Sequence, residues 1–313
     1  MLIRDPEESK YGKNPWKRPL LELLRNGIVV IDKPAGPTSH QVTSWVKRML
    51  GAKKAGHSGT LDPGVTGVLP VVLNNSTKII PALLKAGKEY VGVMHLHGDV
   101  GRKKLLETAA KFEGEITQLP PAKSAVKREP RQRRVYYFEI LEVVGREVLF
   151  KTGVEAGTYI RKLCHDMGVE LGVGANMKQL RRVRAGPFTE ATSVTMQELH
   201  EAWMLYKETG REELLRKVVR PVEDGVLMVP KVYAKDSAVA SVTHGARLGV
   251  VGVAQVEESL RAGKLSAIMS LKGELVAIGP ALMDAEDAVK LWEGDVVKTD
   301  RVVMEKGVYP RGW

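Results

Sequence analysis

The chain has 313 residues, 43% of them hydrophobic and 27% charged, with 48 Lys and Arg against 37 Asp and Glu and a formal net charge of +11. That length predicts about two domains, the composition a packed core and not pervasive disorder, and the positive excess a polyanionic partner, nucleic acid first. No stretch approaches the roughly 20 apolar residues of a membrane span, the opening Met1 to Glu8 lacks an apolar signal centre, and the single Cys164 excludes an intrachain disulfide and a multi-cysteine zinc cluster, so a cytoplasmic protein with no membrane partner is expected.

Residues 1–26 are polar, charged and punctuated by Pro and Gly, and read as an extended arm instead of a core element. The β-branched run Gly27 to Asp32 predicts a strand, ended by the rigid Lys33-Pro34-Ala35-Gly36-Pro37. A helix follows, opened by a capping box at Thr38 and Gln41, with Val42, Trp45, Val46, Met49 and Leu50 on one face. A glycine-rich passage, Gly51 to Gly67, leads into apolar Val68 to Leu73. Tyr90 to Leu96 alternates as a strand, and Leu105, Leu106, Ala109 and Ala110 mark a helix that stops near Gly114.

Val135 to Val144 and Glu147 to Val154 predict an antiparallel pair turned at Gly145-Arg146. Ile160, Leu163, Cys164, Met167 and Leu171 form a helical stripe stopped by Gly172 and Gly174, which makes Cys164 a core residue more naturally than a nucleophile. Thr195 to Val219 reads as one helical stretch opened by a capping box at Thr195 and Glu198. Beyond Pro230 come a short helix at Ser237 to Thr243 and strands at Leu265 to Met269 and Leu275 to Ile278 around Lys272-Gly273, the pattern of a compact β-rich domain. The irregular mixing of strands and helices predicts an α+β fold whose sheet is mixed and largely antiparallel, flanked by helices.

Chemistry concentrates in Gly56-His57-Ser58-Gly59-Thr60-Leu61-Asp62-Pro63-Gly64-Val65-Thr66-Gly67. Its glycines permit positive φ and close backbone approach, and Pro63 biases Asp62 toward an extended conformation, so one carboxylate is presented rigidly. Composition alone leaves open a helix-capping Asp in a turn-rich loop; a phosphate-cradling P-loop lacks its Lys-Ser/Thr ending. The wording of the stretch, with Thr66-Gly67-Val68-Leu69-Pro70 behind it, closely resembles the catalytic signature of the tRNA-type pseudouridine synthase superfamily. Four further passages resemble that superfamily's motifs in order: Ile31 to His40, Lys88-Glu89-Tyr90, Gly157-Thr158-Tyr159-Ile160-Arg161, and Leu180-Arg181-Arg182 with Gly186-Pro187-Phe188.

Within the superfamily, Met94 to Asp99, Pro120 to Lys127 and Val239 to Ala246 resemble the archaeal form of the dyskerin family, the catalytic subunits of box H/ACA ribonucleoproteins. The resemblance implies an N-terminal arm (1–26) packed on the C-terminal domain, a catalytic domain (27–228) and a small β-barrel PUA domain that binds RNA (229–313). It implies conversion of uridine to pseudouridine: the N-glycosidic bond breaks, the base turns and rejoins through carbon, with no redox change, no cofactor and no metal. It assigns Asp62 the essential carboxylate, Arg161 its charge partner, Tyr90 the stacking platform for the flipped base and Tyr159 a second active-site tyrosine. His57, Lys33, Leu180, Arg181 and Arg182 are implied as substrate-binding residues, and His244, Gly245, Ala246 and Arg247 as part of the surface for the guide RNA's 3′ end. The basic runs Lys127 to Arg134 and Arg181 to Arg184 are expected to supply phosphate contacts from about half their members.

Implied partners are a guide RNA, rRNA and tRNA substrates, a small zinc-ribbon or β-hairpin scaffold protein, a Gly/Arg-rich-type β-barrel protein and a kink-turn-binding ribosomal-type protein. Two alternatives stand beside this reading: a stand-alone synthase acting on the tRNA T-loop, and a non-catalytic RNA-binding scaffold. The presence of Asp62, Tyr90, Tyr159 and Arg161 together argues against the scaffold.

Overall fold

The chain begins with the two-residue strand β1 (Leu2–Ile3), and the first sustained structure is α1 (Leu20–Asn26), which starts one residue after Pro19. The computed structural model describes residues 1–5, 8–120 and 127–310. The β-branched run becomes β2 (Gly27–Lys33), and α2 (Ser39–Met49) follows with the Thr38–Gln41 capping box formed in both directions. Next come β3 (Ala55–His57), β4 (Thr66–Leu73), α3 (Ile80–Lys85), β5 (Lys88–Leu96), α4 (Arg102–Lys111) and β6 (Gly114–Gln118). The hairpin β7 (Arg131–Val144) and β8 (Glu147–Val154) turns at Gly145, which takes the left-handed φ of 57° that such a tight turn requires. Then follow α5 (Ile160–Leu171), β9 (Ala175–Ala185), β10 (Phe188–Thr189), α6 (Met196–Thr209), α7 (Glu213–Val218) and β11 (Val219–Pro221).

Strands β2 to β11 form one large sheet in the order β11-β2-β4-β9-β5-β8-β7-β6, with β3 beside β4 and β10 beside β9. Among its named strand pairs only β4 and β9 run parallel, with Thr66 opposite Arg181 and Gly67 opposite Arg182. That junction carries the site. α5 packs its Ile160, Leu163, Cys164, Met167 and Leu171 stripe against Met94, Phe138 and Phe150 of the sheet; on the other half α2 and α6 pack against β2 and β4 through Val42, Val46 and Leu199.

The rest of the chain builds a second sheet. β12 (Lys231–Ala234), α8 (Asp236–Thr243), β13 (Leu248–Gly249), β14 (Val253–Val256), β15 (Leu265–Ser270), β16 (Leu275–Pro280), α9 (Ala285–Lys290), β17 (Asp295–Val297) and β18 (Arg301–Val302) follow in order. Its six-stranded order is β1-β14-β12-β15-β16-β18, so the N-terminal strand completes the edge of the C-terminal sheet, with Leu2 opposite Val256. The two sheets share one apolar seam: Ile28, Val30 and Val72 lie in the same buried cluster as Ala267, Met269, Leu275 and Ile278. Arg18 pairs bidentately with Glu223 at 2.9 and 2.8 Å, and Glu223 Oε1 also accepts the Leu275 N–H across the seam.

Two expectations need correction, and one strand was not foreseen. Residues 20–26 are not extended arm: Leu20, Leu23 and Leu24 are buried in the core of the first sheet's helical layer, because three leucines at helical spacing outweigh the polar flanks. The stretch Thr195 to Val219 is two helices, broken where Gly210 turns left-handed at φ 73°. β9, central to the large sheet, was not foreseen as a strand at all.

Candidate active site

Asp62 sits on the loop between β3 and β4, and Arg161 in the first turn of α5; their side chains form an ion pair. Both are more than half exposed, at 54% and 58%.

The loop beneath Asp62 is held by three buried polar side chains. Lys33, at the end of β2, is fully buried and donates to the carbonyls of Pro34 (2.8 Å), Pro63 (3.1 Å) and Val65 (2.9 Å), using all three protons. Burial lowers its pKa and the Asp62 charge partly offsets this, so the carbonyl dipoles and the nearby carboxylate keep an ammonium where an unpaired one would be costly. Ser39, in the first turn of α2, accepts the Leu61 N–H at 2.8 Å and donates to the Leu61 carbonyl at 3.1 Å, fixing the residue before Asp62 at both backbone groups. Arg182, 1% exposed, donates to Val68 O (2.8 Å) and Gly59 O (3.3 Å), clamping the loop's start to the strand that follows it.

Gly67 explains why the parallel junction carries a glycine. At φ 104° it faces the β9 backbone so closely that a Cβ would lie 2.2 Å from the Arg182 carbonyl oxygen. Substitution there would part β4 from β9, and with them the Asp62 loop from its clamp.

Tyr90, half-buried on β5, is the cross-strand neighbour of Arg182, and Tyr159 immediately precedes α5, two residues from Arg161. Lys88, in the same motif as Tyr90, is buried and donates to the carbonyls of Leu83, Leu84 and Ala86; burial and the Arg182 charge push its pKa down to about 8. His57 lies edge-on to His40 with ring centroids 4.8 Å apart, and its Nδ1 accepts the Gly59 N–H. Burial, His40 and Arg182 together lower its pKa to about 4, so it is a neutral ring at pH 7.

Several residues expected to contact substrate also make structural bonds within the chain. Lys33 and Arg182 are buried: Lys33 spends all three protons on backbone carbonyls, and Arg182 spends Nε and one terminal nitrogen in the same way. Arg181 holds Asp32 with both terminal nitrogens (2.9 and 2.8 Å) and Glu190 through Nε (2.6 Å), which raises its pKa and leaves it little to offer a phosphate. Arg184 pairs with Glu89 at 2.7 Å. Leu180 is half-buried opposite Gly92 on β5, on the apolar cluster that also supports Tyr90. The second basic run is thus largely neutralised internally, whereas Arg128 and Arg134 of the first are exposed, and Lys127, also exposed, pairs with Glu129.

In the second sheet, His244 to Arg247 form an exposed turn after α8, with Gly245 at φ 94° and open space around it. His244 Nδ1 lies 2.8 Å from the Ala240 carbonyl, and Arg247 pairs with Asp295 at 2.9 Å. The structural roles of Ser39, Lys88 and the buried amide of Gln118 were missed at the sequence level; Ser39 left a signal in its place at the head of a capping-box helix, Lys88 in its place in the Tyr90 motif, and Gln118 none. Residues 121–126, which carry part of the finer resemblance, lie outside the described residues.

Comparison with known proteins covers the same ground. The chain matches the TruB family pseudouridylate synthase N-terminal domain over 47–160, the tRNA pseudouridylate synthase B C-terminal domain over 161–227, the PUA domain over 230–303 and the DKCLD (NUC011) domain over 2–43. It is 51% identical over 306 residues to a "Probable tRNA pseudouridine synthase B" of Methanopyrus kandleri, covering 98% of this chain and 90% of that one. It is likewise 51% identical over 317 residues to the protein of that name from Pyrococcus furiosus, covering 100% and 93%. Among solved structures, a chain of a Cbf5-Nop10-Gar1 complex is 50% identical with a TM-score of 0.96 over 99% of this chain and 95% of that one. A chain of an H/ACA RNP bound to a substrate RNA containing 2'-deoxyuridine is 48% identical with a TM-score of 0.93, over 100% and 96%. With signature motifs, site geometry and full-length relatives in agreement, the chain belongs to the TruB-type pseudouridine synthases, RNA isomerases, in the form that carries DKCLD and PUA domains.

Proposed function

We propose that this synthase is the catalytic subunit of a box H/ACA-type ribonucleoprotein, converting guide-selected rRNA uridines to pseudouridine. The observation that carries this reading is the TM-score of 0.96 to a chain of a Cbf5-Nop10-Gar1 complex, which extends over the PUA-matching sheet as well as the catalytic one. In such a particle base pairing selects the uridine and the protein supplies chemistry and position. Its partners would be the guide RNA, a small scaffold protein, a Gly/Arg-rich-type protein and a kink-turn-binding protein. The turn His244 to Arg247 is our candidate for part of the guide's 3′-end surface, being exposed and basic at Arg247.

In the reaction, Asp62 is the essential carboxylate at the ribose, and Arg161 pairs with it and orients it. Tyr90 stacks the extruded base, recovering about 1–3 kcal/mol of the unstacking cost, and Tyr159 faces the base as it turns. The C5 hydrogen leaves as a proton when the new C–C bond forms, and N1 gains one, so release of tritium from 5-tritiated uridine counts turnovers. Neutral His57 lines the approach to the loop without adding charge.

A second reading keeps a specific observation in its favour: several relatives about half identical to the chain are named as probable tRNA pseudouridine synthases. Tritium release is therefore to be measured on an rRNA fragment and on a tRNA T-loop, each with and without guide RNA and partner proteins. Guide-dependent release on the rRNA fragment supports the proposal. Full activity on the T-loop combined with no stimulation of rRNA turnover by guide and partners would replace it with the stand-alone enzyme.

A further inference from the structure

Gln118 ends β6, the outermost strand of the large sheet, and is 2% exposed. Its side chain meets the backbone of one residue twice: Oε1 accepts the Tyr159 N–H at 2.9 Å, and Nε2 donates to the Tyr159 carbonyl at 3.2 Å. The amide thus stands in for a neighbouring strand, offering one acceptor and one donor at peptide spacing. A buried amide needs both bonds to offset its desolvation, so this pairing is specific to the side chain and not merely tolerated by it.

What Gln118 grips is the entrance to α5. Tyr159 occupies the capping position there with φ −92° and ψ 104°, and no side chain caps the helix. The two bonds hold the peptide planes on either side of Tyr159, and those planes set both the direction of its ring and the azimuth of the first turn, where Arg161 reaches Asp62. The preceding residues are tied to the same edge of the sheet: Glu155 exchanges backbone and side-chain bonds with Arg134, and the Arg133 guanidinium lies 3.1 Å from where a Cβ of Gly157 would stand.

We infer that Gln118 is a positioning residue of the isomerisation, acting through the Tyr159 backbone to aim Tyr159 and Arg161 at the Asp62 carboxylate. It touches no substrate. The inference rests on the proposed roles of Tyr159 and Arg161, and displacement of those groups by an ångström is enough to cost on the order of 100-fold in rate.

The test compares Gln118→Leu and Gln118→Glu with the unsubstituted full-length protein, on an RNA that the latter modifies, by single-turnover tritium release at saturating RNA and by RNA affinity. Gln118→Leu should lose roughly 10- to 100-fold in rate, with affinity held within about threefold. Gln118→Glu adds a readout that a packing role would not move. Its carboxylate keeps the acceptor but loses the donor, whereas its protonated form has both, and burial favours that protonated form. The ratio of its rate to that of the unsubstituted protein should therefore rise at least about fivefold from pH 8 to pH 5.5, while the Leu ratio stays flat. Arg161→Lys and Tyr159→Phe run alongside: if they are also silent, the site roles are wrong. If those two impair the rate while Gln118→Leu stays within about twofold, or the Glu ratio does not change with pH, this inference is overturned. Should the Leu variant not fold, the pH response of the Glu variant decides alone.

Discussion

Two sets of basic residues in this chain do opposite work. Lys33, Lys88 and Arg182 lie buried around the Asp62 loop and Tyr90, and spend their donors on backbone carbonyls. Lys127, Arg128 and Arg134 stand exposed on and before β7. The first set is internal architecture: each cation fixes the chain where a carbonyl would otherwise be buried unpaired. The second is available to an RNA backbone. A count of positive charge therefore overstates the surface an RNA meets, and the neutralised Arg181 and Arg184 narrow it further.

Substitutions can break this contrast. The largest effect is expected at Lys33. Lys33→Met leaves the carbonyls of Pro34, Pro63 and Val65 short of a donor, at a cost of about 3 kcal/mol in unfolding free energy, and frees the loop enough to lower single-turnover rate at least about 100-fold. Chemical denaturation and tritium release together check it; a variant as stable and active as the unsubstituted protein would show that the ammonium is not what holds the loop. Next is Arg161→Lys, which keeps the charge but loses the planar fork: a rate loss of about 10- to 100-fold with unfolding free energy unchanged within about 0.5 kcal/mol. Equal losses of stability and rate would place Arg161 with the buried set instead.

Effects in the exposed set should be milder and of another kind. Arg128→Ala with Arg134→Ala should weaken RNA binding severalfold and make the slope of log affinity against log salt shallower by about 1 for each phosphate contact removed, with the rate at saturating RNA unaffected. An unchanged slope would mean these arginines do not meet phosphate. The smallest effect sharpens the buried side. His57, at about 4, binds its proton far less readily than in the unfolded chain, where 6.5 is the ordinary value. Between pH 6.5 and 4 the unfolded state takes up a proton that the folded state refuses, so folded stability falls as pH drops through that window. His57→Gln should flatten this part of the stability curve in thermal unfolding from pH 7 to 4; parallel curves would mean the ring is not as shielded as its surroundings suggest.

The same contrast explains what the sequence could and could not reveal. α2 and α5 were legible because apolar spacing and capping residues agree, as at Thr38–Gln41 and at the Ile160 to Leu171 stripe closed by Gly172. β9 was not, because Ala175 to Ala185 carries Lys178, Arg181, Arg182 and Arg184 and shows no clean alternation. Its Arg182 is buried by donating to carbonyls far away in sequence, which no local pattern encodes. The burial of Lys33 was hidden in the same way: a fully buried lysine is rare, and two of the three carbonyls it meets, those of Pro63 and Val65, are about thirty residues away. α1 was hidden by its polar flanks. Asp62, Tyr90, Tyr159 and Arg161 stand in motif wording, which says nothing of the floor that supports them or of Gln118.

The central claim is that the Asp62 carboxylate performs the chemistry on a loop the protein holds rigid without its help. The most direct measurement is tritium release from 5-tritiated uridine RNA by Asp62→Asn under single-turnover conditions, with RNA affinity and thermal unfolding followed on the same preparation. No release above background is expected, with affinity within about threefold and a fold as stable as the unsubstituted protein, since Lys33, Ser39 and Arg182 contact the loop's backbone and not this side chain. Release at a tenth or more of the unsubstituted rate, or loss of RNA binding and fold along with activity, would contradict it.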